Sequence, residues 1–142
     1  MAPSPGTRPQ RVLIAGPALV IRQLSAVLPQ GAEVVGAAIW EDAVQRLSEI
    51  DPDLIVVCYV FDELRPYRFI QHVRSESRRI PIMLVRAVTV PWGATQESDV
   101  RRSYEEMGVD AFLNFSDIAN TAGLDAALHE FRRVVVSLLA TA

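Results

Sequence analysis

The sequence predicts an α/β domain in which a five-stranded parallel sheet carries helices on both faces. Three observations lead there. Short aliphatic and β-branched runs alternate with helical periodicities along nearly the whole chain. The run Leu54-Ile55-Val56-Val57-Cys58 is apolar on both faces, as a central parallel strand covered on both sides must be. The connections between elements are short, which suits sequential strands lying in one sheet.

Residues 1–10 are expected to be a flexible lead-in, because Pro3, Pro5, Gly6 and Pro9 break any regular element. Residues 11–142 then form one domain. Arg11 to Ala15 is the first strand and stops at Gly16-Pro17. Pro17 suits the first turn of a helix, where its missing N–H costs nothing. Val20, Leu24, Val27 and Leu28 give that helix an apolar face, and Pro29-Gln30-Gly31 ends it.

Glu33 to Ile39 is the second strand. Glu41 to Ile50 is the second helix, with Val44, Leu47 and Ile50 inward. After the turn Asp51-Pro52-Asp53 comes the central strand, 54–58. Pro66 opens a third helix with Phe69, Ile70 and Val73 inward, and Ile80 to Val85 is the fourth strand. Residues 86–98 are irregular. A fourth helix over 96–107 buries Val100, Tyr104 and Met107 and is capped by Gly108. Ala111 to Phe115 is the fifth strand, and a last helix carries Leu124, Leu128, Phe131, Val135 and Leu138.

Composition narrows the function. The chain has 142 residues, half of them hydrophobic and 22% charged, which is one globular domain and excludes a disordered chain. A net charge of -3 argues against a domain that grips nucleic acid. The single Cys58 excludes an internal disulfide and a cysteine-based zinc site; His72 and His129 alone supply a transition-metal site poorly. No run approaches the roughly 18–20 apolar residues of a membrane span, and residues 1–10 lack a signal-peptide core, so the expected location is the cytoplasm. All 14 basic residues are arginine, so no lysine chemistry is available.

Several phrases, in order, resemble the receiver domain of bacterial two-component response regulators over residues 11–139. They are Arg11-Val-Leu-Ile, Val34-Val-Gly-Ala-Ala, Pro52-Asp-Leu-Ile-Val-Val, Pro81-Ile-Met-Leu-Val and Gly108-Val-Asp-Ala-Phe-Leu. The resemblance implies a flavodoxin-like three-layer sandwich, strand order 2-1-3-4-5, with its site at the carboxyl ends of strands one and three. It also implies an acidic pair after strand one, an aspartate ending strand three, a hydroxyl ending strand four and a lysine ending strand five. In such a site three carboxylates hold Mg²⁺ and the aspartate takes the phosphoryl group. Here those positions fall on Gly16 and Pro17, Cys58, Arg86 and Phe115. Each change removes the needed chemistry. The chain thus resembles the pseudo-receivers, which keep the fold without the phosphorylation site, and the expectation is a non-enzymatic signalling module, without metal or cofactor, that acts through protein contacts.

Individual residues leave alternatives open. Cys58 is either a reactive thiol, the basis of a redox sensor, or a small buried hydrophobe. Arg86 either sits at the old metal site and pairs with Asp62 or Glu63, or runs out to solvent; gripping a small anion would make the chain a ligand sensor. Asp62 and Glu63 are expected to favour the start of the third helix. In the 86–98 connection, Val90 and Trp92 form a lid or a partner contact, or fold back into the domain. Arg65, Arg68 and His72 form a solvated basic face, and His72 and His129 are expected to be exposed. Val134, Val136 and Leu139 make the last helix apolar in too many directions, which points to a homodimer through helix four, strand five and the last helix.

Overall fold

The computed structural model describes residues 9–62, 66–76, 79–87 and 94–141. Along the chain run β1 (Arg11–Ala15), α1 (Ala18–Ser25), β2 (Glu33–Ala37), α2 (Trp40–Ile50), β3 (Leu54–Cys58) and α3 (Pro66–Ser75). They are followed by β4 (Ile82–Val85), α4 (Ala94–Glu106), β5 (Ala111–Leu113), α5 (Phe115–Ala122) and α6 (Leu124–Thr141). All strand pairings are parallel and the sheet order is β2-β1-β3-β4-β5. This is the flavodoxin-like architecture.

The two-residue period of a strand divides the core between two faces. Val12, Ile14, Val56, Met83 and Val85 point to one side, against Leu24 of α1 and Ala127, Phe131, Val135 and Leu139 of α6. Leu13, Ala15, Ile55, Val57 and Leu84 point to the other, against Leu47 of α2, Phe69, Ile70 and Val73 of α3, and Tyr104 of α4. β3 lies between β1 and β4, and every one of its residues is buried. At the other end of the sheet, Gln10 donates from Nε2 to the carbonyl of Leu139 at 3.2 Å, so the entry to β1 and the end of α6 are tied together.

Strand ends depart from the sequence expectations for a reason visible in the pairing. β2 stops at Ala37, not Ile39, because Ala37 pairs with Ala15, the last residue of β1. Beyond it β2 has no partner strand among the described residues, and Ile39 is 47% exposed. β5 stops at Leu113, opposite Val85, the last residue of β4. The Asn114 side chain then accepts from the backbone N–H of Asp117 and caps α5, so Phe115 is helical and not a strand residue. The single last helix expected from periodicity is two helices. Gly123, at φ +98°, separates α5 from α6, a backbone conformation that other residues rarely adopt. α1 ends at Ser25, and Leu28 reaches the core from the turn that follows. α2 and α4 begin at Trp40 and Ala94, slightly earlier than expected.

Candidate functional site

The carboxyl ends of β1, β3 and β4 meet where the resemblance places a phosphorylation site, and the backbone there is tightly tied. Gly16 donates to the Ala37 carbonyl at 3.0 Å, and Tyr59 to the Val85 carbonyl at 2.8 Å. A Cβ on Gly16 would lie 2.5 Å from the Cys58 sulfur and 2.8 Å from its Cβ. The ends of β1 and β3 therefore pack so closely that any side chain at position 16 would need the space Cys58 fills. Pro17 precedes α1 and gives it no side-chain cap. The Cys58 thiol is fully buried, and that burial pushes its pKa up to about 12. Such a thiol is a small hydrophobe at neutral pH, not an activated nucleophile.

Asp62 has a structural task. Its carboxylate accepts a 2.6 Å hydrogen bond from the backbone N–H of Trp40, the first residue of α2. Ile39, the residue before that helix, offers no side-chain cap, so Asp62 caps α2 from another loop. Its φ of +40° is the strained backbone that brings the carboxylate there.

Arg86 follows β4 and is only 4% exposed, so it does not run out to solvent. Its guanidinium lies 3.3 Å from a Glu97 carboxylate oxygen and 3.6 Å from one of Asp117. This corrects the expected pairing with Asp62, whose carboxylate is turned to α2; Glu63 lies outside the described residues. Asn114 knits the cluster together, donating from Nδ2 to Glu97 at 3.2 Å and to Asp117 at 2.6 Å. Ser116 donates from Oγ to the Asn114 side-chain oxygen at 3.3 Å. The backbone joins in, with Arg86 donating to the Leu113 carbonyl and Ser116 to that of Arg86. The charge of the cluster reaches Tyr59, whose phenol is pushed up mainly by burial and slightly by Glu97, against the pull of Arg86.

Phe115 is buried in the first turn of α5, in the core layer of α6. Sequence reasoning missed Glu97, Asn114 and Asp117. For the last two a signal existed, since Asn followed three residues later by an acid is a helix-start pattern. His72 is not simply exposed: its ring meets Trp40 edge-on with centroids 5.6 Å apart, and its Nε2 lies 3.4 Å from Glu76. His129 and Arg68 are exposed, as expected. Val90, Trp92 and Arg65 lie outside the described residues. On α6, Leu139 is 5% exposed and belongs to the core, Val134 is half-buried against it, and of the three only Val136, at 45%, is exposed. Residues 135 and 139 fall inward together because positions four apart share one face of a helix. Among the described residues, no group of three His, Cys, Asp or Glu could hold a metal ion, and no helix is long and apolar enough to cross a membrane.

No family model and no curated protein matches the chain by sequence. Solved structures match by shape. A Chloroflexus aurantiacus J-10-fl protein assigned as a response regulator superposes with a TM-score of 0.70 at 20% identity, covering 94% of this chain and 99% of its own. The signal receiver domain assigned to the response regulator NarL of Mycobacterium tuberculosis gives 0.71 at 17% identity, covering 96% and 100%. Chemotaxis response regulator CheY4 of Vibrio cholerae gives 0.63 at 18%, covering 90% and 99%. The chain has the fold of response regulator receiver domains, a class of signalling module.

Proposed function

We propose that the chain is a pseudo-receiver: a signalling module that works by protein–protein contact, independently of Mg²⁺ and phosphotransfer, in the cytoplasm. The observation that carries this reading is the closure of β1 on β3, where Cys58 fills the space that a side chain at position 16 would need. A carboxylate side chain at position 16 would meet Cys58, and position 58 itself carries a thiol in place of an aspartate. Arg86 supports the same reading, since its charge is answered by Glu97 and Asp117 from within the chain. A small anion would have to displace those carboxylates, and a redox sensor would need a thiol less deeply buried than Cys58. In this reading the chain pairs with a second copy through α4, β5 and α6, a contact supported by the exposed Val136.

The test is incubation of the full chain with Mg²⁺ and acetyl phosphate, followed by intact-mass measurement. No phosphate adduct is expected, nor any Mg²⁺-dependent rise in melting temperature. A phosphoaspartate, at Asp62 or elsewhere, would overturn the reading.

A further inference from the structure

β2 is an edge of the sheet, and among the described residues only β1 pairs with it. Its Glu33 N–H donates to the Gln10 carbonyl at 2.8 Å, and its Ala37 carbonyl accepts from Gly16 at 3.0 Å. Backbone groups alternate sides along a strand, so residues 33, 35 and 37 turn theirs to β1 while Val34 and Gly36 turn theirs outward. Protein edges are commonly blunted by lysine, proline or a bulge. β2, Glu-Val-Val-Gly-Ala, has no lysine or proline, and its register with β1 runs without a break from Glu33 to Ala37. Its one charge, on Glu33, is answered by Arg11 at 3.1 Å. Both core layers are also incomplete here. Val34 and Ile21 of α1 are half-buried in the layer on one face, and Val35 is half-buried in the layer on the other. Gly36 is exposed, and a Cβ there would lie 2.8 Å from the Ile21 Cγ2, so the strand is bare backbone where α1 comes close.

We propose that β2 pairs antiparallel with β2 of a second copy of this chain, about a two-fold axis at Val35, so that two five-stranded sheets join into one. The occupant follows from the symmetry of the edge. An isologous contact uses the same patch twice, so the patch must complement itself. With Val35 facing Val35 of the second copy, all five residues of each strand are matched. Val34 then lies opposite Gly36, and the outward groups of both make four hydrogen bonds across the axis. Val35 falls at a position outside those bonds, where opposite Cα atoms are about 4.5 Å apart and side chains pack most closely. Val34 meets a residue without a side chain and extends the layer that holds Ile21. The two Glu33 residues fall at opposite ends of the pairing, about 13 Å apart along the strands, beyond the screening length of about 8 Å at physiological salt. A five-residue strand gives a small contact, so pairing is expected at hundreds of micromolar and not at tens. β2 and β5 are opposite edges of the sheet, so this contact is separate from the one through α4, β5 and α6. It does not depend on the absence of phosphotransfer.

Residue-resolved amide exchange with water, followed by NMR on the full chain at tens of micromolar and near one millimolar, tests it. The amides of Val34 and Gly36 should exchange about threefold or more slowly at the higher concentration, since with two-thirds of the chains paired only the remaining third exchanges. Val35 and Ala37, bonded to β1, should be equally protected at both. Val34→Pro removes an outward N–H without touching the bonds to β1, and should abolish the concentration dependence at Gly36. Val136→Glu should leave that dependence intact. Exchange at Val34 and Gly36 that ignores concentration would overturn the proposal and leave the edge to a strand of another protein. Loss of the dependence in Val136→Glu would overturn it too, by placing the contact on α6.

Discussion

Asp62, in the turn after β3, caps α2 by accepting the Trp40 N–H at 2.6 Å. The bond joins two connections on the carboxyl side of the sheet, and it uses the one described carboxylate close after the central strand. Asp62→Ala should therefore destabilise the domain by about 1 kcal/mol, the usual value of an N-cap. Asp62→Asn, which keeps an accepting oxygen, should cost less. Urea denaturation of the two variants measures the difference, and equal effects would show that the charge, and not the cap, matters.

The contact between positions 16 and 58 should be visible as coupling. Gly16→Ala forces a methyl group against the Cys58 side chain, an overpacking worth about 1–3 kcal/mol. Cys58→Ala makes room at the cost of a small cavity. The double variant should be more stable than the sum of the single losses predicts. Strict additivity in chemical denaturation would contradict the closeness of β1 and β3.

Alkali should weaken the fold in a defined window. Burial raises Cys58 from its usual 9.0 to about 12 and Tyr104 from 10.0 to about 12. The folded chain holds both protons more tightly than the unfolded chain. The stability this contributes is complete below pH 9 and is lost as pH rises towards 12. Melting temperatures measured across this range should fall steadily, and in Cys58→Ala the fall should begin nearer the tyrosine range. For the same reason a thiol reagent at neutral pH should label Cys58 only after unfolding.

Arg86→Leu should be worse than its size suggests. It removes the cation that lies near both Glu97 and Asp117 and leaves Asn114 donating to the two carboxylates, a loss of about 1 kcal/mol for this partly exposed cluster. Adding Glu97→Gln and Asp117→Asn to Arg86→Leu should recover part of the loss, because the repulsion goes with the charges. Failure of the triple variant to recover anything in thermal denaturation would mean that Arg86 acts through packing alone.

Val136→Glu addresses the second copy. If α6 carries a self-association contact, the parent should run as a dimer in light scattering at tens of micromolar and the variant as a folded monomer. A monomeric parent would remove that contact from the proposed function.

Much of this was legible in the residue pattern. The alternation of elements, the doubly buried β3 and the positions of Gly16, Cys58 and Arg86 at strand ends follow from periodicity and punctuation, which are local signals. Strand lengths were not legible, because β2 and β5 end where β1 and β4 end, and a neighbour's length is not written in the strand itself. The partners of Arg86 were hidden for a similar reason. Glu97 and Asp117 belong to later helices, and only the path of the chain brings them to β4. Asp62 was expected to favour the start of α3, but the helix it caps is α2, which lies earlier in the chain. His72 fell on a polar helical stripe, and the Trp40 ring that covers it comes from the neighbouring helix.

The bond from Gln10 to Leu139 places the two ends of the described domain side by side. A short linker joining them would close the backbone into a ring, so new ends could be opened in another surface turn without crossing the core, a rearrangement of the kind many domains tolerate. The same adjacency means that anything attached at either end leaves from the amino-terminal side of the sheet. A change at Arg86, which follows the carboxyl end of β4, would have to travel the length of a strand to be felt there.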